Sequence, residues 1–137
     1  MPPKPSDPLF RILCVDDNVQ MLSALKLGLG MYGFEVVTAC HGIDALMHYK
    51  AHSGDFGAIV TDNDMPHMGG LEFVRTVREF GFKGHIVVMS GRLKTEDFEA
   101  YDHHTIRGFF QKPFQTSLLA TMLLQSESPK AVLRIDY

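Results

Sequence analysis

Five times along this chain of 137 residues a short apolar run is followed, across a polar loop, by a stretch with helical spacing. The first run, Ile12-Leu13-Cys14-Val15, stops abruptly at Asp16-Asp17-Asn18. Leu22, Leu25, Leu29 and Tyr32 then recur at helical intervals within 19–32. Gly28 and Gly30 each weaken that helix by about 1 kcal/mol, and Gly33 closes it as a C-terminal glycine does. Further strands are expected over 34–39, 58–61, 86–89 and 106–110, and further helices over 41–51, 71–80, 95–103 and 116–125. The helix over 95–103 is the weakest of these, because it is largely polar. Strict alternation of strand and helix leads to a parallel sheet covered by helices on both faces. Four of the strands are almost continuously apolar, as strands buried on both faces are. The other, with Glu35 and Thr38, reads as an edge. The expected fold class is therefore α/β, a three-layer arrangement of a five-stranded parallel sheet and five helices.

Composition narrows the function classes. Hydrophobic residues at 45% and charged residues at 21% are ordinary for one globular domain. The formal net charge of -3, with no cluster of Lys or Arg, offers no electrostatic footprint for nucleic acid. Cys14 and Cys40 both lie in apolar stretches and are expected to be buried free thiols. Met21, Met31, Met47 and Met122 are likewise expected in the core, while His41 to His52 and His103-His104 are expected at the surface. Residues 1–8 are Pro-rich and polar and lack the apolar centre of a signal peptide. No run is long enough to span a membrane, so a cytoplasmic protein is expected. The expected layout is an N-terminal tail over 1–8, one domain over 9–126 and a C-terminal tail over 127–137, with no room for an output domain.

In open parallel sheets, ligands bind beyond the carboxyl ends of the strands. Asp16 and Asp17 follow the first strand, Asp62 the third, Ser90 the fourth, and Lys112-Pro113 the fifth. Three convergent carboxylates repel one another unless a cation neutralises them, and Mg²⁺ suits a site with few carboxylates and open positions. Lys112 adds a compact positive charge and Ser90 a hydroxyl donor. That inventory suits a transferring phosphoryl group, with a carboxylate as nucleophile.

Asp16-Asp17, Asp62-Asn63-Asp64-Met65-Pro66 with Gly69-Gly70, Met89-Ser90-Gly91 and Lys112-Pro113-Phe114 together resemble the signature of response regulator receiver domains, from Phe10 to about Gln125. The resemblance implies a flavodoxin-like fold with strand order 2-1-3-4-5. It implies that Asp62 accepts a phosphoryl group from a sensor histidine kinase or phosphotransfer protein. It makes Asp17, Asp62 and the backbone carbonyl of Asp64 ligands of Mg²⁺, with Asp16 acting through a water, and sets Ser90 and Lys112 on the phosphoryl oxygens. It implies a cis bond before Pro113, and an output surface of the fourth helix, fifth strand and fifth helix, switched through Ser90 and Phe109. Such a chain is a phosphorelay receiver rather than a turnover enzyme, catalysing only its own phosphorylation and dephosphorylation. It is read by a downstream protein, without nucleic acid or membrane, as a monomer or weak dimer. Phe109 stands where Tyr is frequent, so its inward and outward rotamers differ less in energy. Asp64 and Arg92 flank the site and are expected to pair across its mouth.

Blander readings exist for each piece. Asp16-Asp17 is suited to capping the first helix, Ser90-Gly91 to a turn, and Lys112-Pro113 to a solvated loop; only their joint order escapes such explanations. Asp62-Asn63-Asp64 also suits a phosphatase of the haloacid-dehalogenase type, although that family has its nucleophile on the first strand. A flavin carrier would meet repulsion between Asp16-Asp17 and its phosphate. A receiver that is never phosphorylated and only binds partners is disfavoured, since no required residue is missing.

Overall fold

The computed structural model describes residues 2–125 and 133–135. In chain order the elements are β1 (Arg11–Val15), α1 (Val19–Gly30), β2 (Glu35–Ala39), α2 (Gly42–Ala51) and β3 (Ala58–Asp62). They continue with α3 (Gly70–Glu79), β4 (His85–Ser90), α4 (Thr95–Ala100), a 3-10 turn (Asp102–His104), β5 (Gly108–Gln111), α5 (Thr116–Leu124) and β6 (Leu133–Ile135). The sheet runs β2-β1-β3-β4-β5-β6 with every pairing parallel. Its first five strands have the order 2-1-3-4-5 and five flanking helices, as expected, with β2 at an edge. The short β6, parallel to β5, is an addition within the stretch expected to be a tail.

Because successive side chains of a strand point to opposite faces, the strands divide the core in two. Ile12, Cys14, Val60, Val87, Met89 and Phe110 face Leu22, Leu25 and Leu29 of α1 and Leu119, Met122 and Leu123 of α5. Leu13, Val15, Ile59, Ile86, Val88 and Phe109 face Ala45 and Tyr49 of α2, Phe73, Val74 and Val77 of α3, and Tyr101. Among the described residues no helix is long and apolar enough to cross a membrane.

Several expectations need correction. Cys14 is buried but Cys40 is exposed, because it lies one residue beyond β2, where its N–H donates to Asp44 Oδ2 at 3.1 Å. Met122 is in the core, whereas Met31 and Met47 are 80% and 66% exposed, on the outward faces of their helices. The fourth helix ends at Ala100 instead of 103. The chain tightens into the 3-10 turn and reverses at Thr105, which has a left-handed φ of 54°.

The two glycines of α1 differ in kind. A Cβ at Gly28 would come within 2.6 Å of Thr116 Cγ2 and 2.9 Å of its Cβ, so the glycine lets α1 approach the start of α5. A Cβ at Gly30 meets nothing within 4 Å. In urea denaturation, Gly28→Ala is expected to lose about 1–2 kcal/mol, overpacking outweighing the gain in helix propensity. Gly30→Ala is expected to gain about 0.4–1 kcal/mol. Equal shifts in the two variants would show that α1 and α5 do not depend on this close approach.

Candidate functional site at the carboxyl edge of the sheet

The parallel strands deliver their carboxyl ends to one edge. Asp16 and Asp17 follow β1, Asp62 and Ser90 end β3 and β4, and Lys112 directly follows β5, itself followed by a cis Lys112-Pro113 peptide. Oxygens from the carboxylates of Asp16, Asp17 and Asp62 lie within 4.8 Å of one another. Asp16 is fully buried and Asp62 is 4% exposed, while Asp17 opens to solvent. Lys112 Nζ lies 2.6 Å from Asp16 Oδ2 and 3.3 Å from Asp62 Oδ1. The other oxygen of Asp16 accepts the backbone N–H of Asn18 at 2.9 Å.

The aspartate pair does not cap α1. That role belongs to Asn18, whose Oδ1 accepts the N–H groups of Gln20 and Met21 at 3.0 and 3.2 Å. The carboxylates are thus turned to one another, and one lysine does not neutralise three of them. Burial, above all, raises the Asp62 carboxyl to about 6; Lys112 pulls it down, and the neighbouring charge of Asp16 pushes it up. The backbone N–H of Asp64 also bonds this carboxylate and favours its ionised form. For Lys112, burial by itself would favour the neutral amine. The hydrogen bond to Asp16 and the charges of Asp62 and Asp16 outweigh it, and the net shift is upward.

Ser90 is buried beside this cluster. Its single hydroxyl proton lies within reach of Asp64 Oδ2 at 3.3 Å and of the Arg92 carbonyl at 3.1 Å, and its oxygen accepts the Arg92 N–H. Asp64 therefore faces Ser90. Among the described residues it forms no ion pair with Arg92, contrary to expectation, since the Arg92 side chain points to solvent. Phe109 is turned inward, 3% exposed, with its ring edge-on to Phe98 and Tyr101 at centroid distances of 4.7 and 5.9 Å.

A buried acidic cluster of this kind, crossed by a lysine from the loop after β5, can hold a divalent cation and an anionic group together. The family model of the response regulator receiver domain matches residues 12–124. The chain belongs to that family. This receiver is 35% identical over 104 residues to the transcriptional regulatory protein PrrA of Mycobacterium tuberculosis, a match covering 76% of this chain and 44% of that protein. It thus spans less than half the length of that curated relative. It is 32% identical over 94 residues to the chemotaxis protein CheY of Treponema pallidum, covering 68% of this chain and 65% of that protein. Among solved structures, CheY4 of Vibrio cholerae superposes with a TM-score of 0.78 at 29% identity, covering 86% of this chain and 98% of that one.

Two residues that sequence reasoning passed over also border the receiver's acidic cluster. Asn63 follows Asp62 directly, and Tyr101, 1% exposed, donates its hydroxyl to Asn63 Oδ1 at 2.6 Å. Tyr101 sits in a mostly polar stretch where its only signal is the spacing of three from Phe98; the fold sets both rings against Phe109.

The raised Asp62 carboxyl has a consequence for stability. Its folded value of about 6 exceeds the ordinary 3.8, so the folded state binds the proton more tightly than the unfolded chain does. The resulting stabilisation is full below the ordinary value and is lost as pH rises through the folded one. In chelator at pH 8, Asp62→Asn is therefore expected to stabilise the protein by up to about 2–3 kcal/mol, and the difference should vanish toward pH 4. Urea midpoints at the two pH values measure it; a destabilised variant at pH 8 would contradict the cost of burying the ionised carboxylate described above.

Proposed function

We propose that this receiver takes a phosphoryl group onto Asp62 from a phosphohistidine on a sensor histidine kinase or phosphotransfer protein, and that the modified state is read by a downstream protein. The observation that carries this reading is the meeting of the Asp16, Asp17 and Asp62 carboxylates within 4.8 Å, with Lys112 Nζ at 3.3 Å from Asp62. Asp62 attacks phosphorus through a carboxylate oxygen, the phosphorus–nitrogen bond to the donor imidazole breaks, and the electron pair leaves with that ring. Hydrolysis by one water returns the carboxylate and inorganic phosphate. Neither step makes Asp62 a turnover catalyst for an outside substrate.

The donor set fits Mg²⁺: hard carboxylate oxygens, one of them on the exposed Asp17, beside a loop carbonyl. Asp17, Asp62 and the backbone carbonyl of Asp64 would hold the ion, and Asp16, whose oxygens already serve Asn18 and Lys112, would act through a water. When bound, Mg²⁺ supplies charge neutralisation at the phosphoryl oxygens. Lys112 is held by two carboxylates and would exchange the Asp62 contact for a phosphoryl oxygen. Ser90 has one proton and two long contacts for it, Asp64 Oδ2 at 3.3 Å and the Arg92 carbonyl at 3.1 Å, so it can turn to a phosphoryl oxygen that comes closer.

Turning Ser90 would loosen its bond to Asp64 and the packing of Phe109 behind it. Phe109 has no hydroxyl to strand, so its exchange between inward and outward states is governed by ring packing against Phe98 and Tyr101. Such switching is a shift between two packings of the α4, β5 and α5 face. On this reading the receiver works in the cytoplasm, on proteins rather than nucleic acid, as a monomer or weak dimer.

Incubation with Mg²⁺ and a small acyl phosphate should raise the intact mass by one phosphoryl group, a gain prevented by prior chelation and absent in Asp62→Asn. Lys112→Ala should slow labelling by at least about tenfold, equivalent to about 1.4 kcal/mol of barrier. Labelling that persists at full rate in Asp62→Asn would place the acceptor elsewhere.

A further inference from the structure

The residue after the acceptor is held unusually well by a distant segment. Asn63 donates its backbone N–H to the Met89 carbonyl at 2.8 Å, and its own carbonyl accepts the Gly70 N–H at 3.0 Å. Its backbone is thereby fixed between the ends of β4 and the start of α3. Both halves of its side-chain amide then reach the α4 segment: Nδ2 donates to Asp97 Oδ1 at 3.3 Å, and Oδ1 accepts from the Tyr101 hydroxyl at 2.6 Å. The polarity of this pair is settled by Asp97. A carboxylate only accepts, so the amide nitrogen must face it, which leaves the amide oxygen for Tyr101 and makes the phenol the donor.

Asp97 is itself tied into α4. Its Oδ2 accepts the Lys94 N–H at 2.8 Å, closing the first turn of the helix. Tyr101 ends the same helix and stands edge-on to Phe109. Helix α4 has only six residues and none of them is buried. A helix so short does not hold itself, so its position depends on outside contacts: Phe98 packs on Phe109 at its middle, and Asn63 grips both ends. Gly70 leaves the space for this: a Cβ there would come 2.7 Å from the Tyr101 hydroxyl and 2.4 Å from the Asp62 carbonyl.

We propose that Tyr101, through its hydroxyl bond to Asn63, is a positioning residue that couples the state of Asp62 to the placement of α4. The proposal rests on the reading of Asp62 as acceptor and adds a second route beside Ser90 and Phe109. A displacement of the loop after Asp62 carries the Asn63 amide with it. The buried hydroxyl follows, because an unpaired buried donor is costly. The phenol that Phe109 lacks is thus supplied from inside the fold, by a ring touching Phe109 on one side and the acceptor loop on the other.

Hydrogen exchange of amides 94–104 tests this in wild type, Asp62→Asn, Tyr101→Phe, Asn63→Ala, and the Asp62→Asn/Tyr101→Phe and Tyr101→Phe/Asn63→Ala double variants. Each is measured in Mg²⁺ with and without beryllofluoride, whose binding is followed separately by fluorine NMR. In wild type, beryllofluoride is expected to change exchange in α4 by about tenfold, and in Tyr101→Phe by less than about twofold. Asn63→Ala should blunt the response equally, and the Tyr101→Phe/Asn63→Ala double no further than either single change, as members of one link behave. The same α4 response in wild type and Tyr101→Phe would overturn the coupling. So would an equal loss of protection in both states, the mark of a mere brace. If wild type binds no beryllofluoride, the acceptor reading fails separately, and the Asp62→Asn arm still decides the coupling. That substitution must alter exchange in 94–104 only where the Tyr101 hydroxyl is present; an equal effect without the hydroxyl, or none with it, overturns the proposal.

Discussion

Lys112 between Asp16 and Asp62 is the contact on which the rest of the receiver depends. It joins the loop after β5 to the ends of β1 and β3, with a separation of 96 residues between Lys112 and Asp16. Two carboxylates with almost no access to water would otherwise face each other in a medium where their repulsion is poorly screened. Breaking one partner of such a buried pair is more costly than making the pair is favourable. The contact is therefore better understood as a condition on strand alignment than as a large source of stability. Only a parallel sheet, with β1, β3, β4 and β5 finishing at the same edge, brings these groups together without stretching the loops.

Around that edge the molecule divides into firm and yielding parts. The sheet and helices α1, α2, α3 and α5 are held by two apolar clusters with fully buried members. Helix α4 contributes no buried residue and is placed by polar contacts and by the rings of Phe98, Tyr101 and Phe109. Segments of low local stability are the ones that can change place at modest cost. The receiver thus joins a rigid charge-bearing edge to a loosely held helix.

Most of this was legible in the residues themselves. Continuous apolar runs announced central strands, Glu35 announced the edge, and the order of Asp16, Asp17, Asp62, Ser90 and Lys112 announced the site, because strand ends in a parallel sheet have only one place to go. What escaped depends on direction rather than type. Cys40 looks like a core residue but lies one position past its strand, and Met31 and Met47 fall on outward helix faces. Asp64 turns to Ser90, although its charge had pointed to Arg92. Tyr101 escaped for the opposite reason, being a ring in a polar stretch that tertiary packing draws inward to meet Asn63.

The short strand β6 has a consequence of a different kind. Without it, β5 would present a row of free backbone amides and carbonyls along the side of the sheet, an invitation to pair with any extended chain. Its register against Gly108, Phe109 and Phe110 occupies that row and moves the border outward to a strand of three residues, too short to template another. The opposite border, β2, carries Glu35 paired with Arg11, and charge there discourages a second sheet from docking. Both borders of the sheet thus disfavour edge-to-edge pairing with an extended chain.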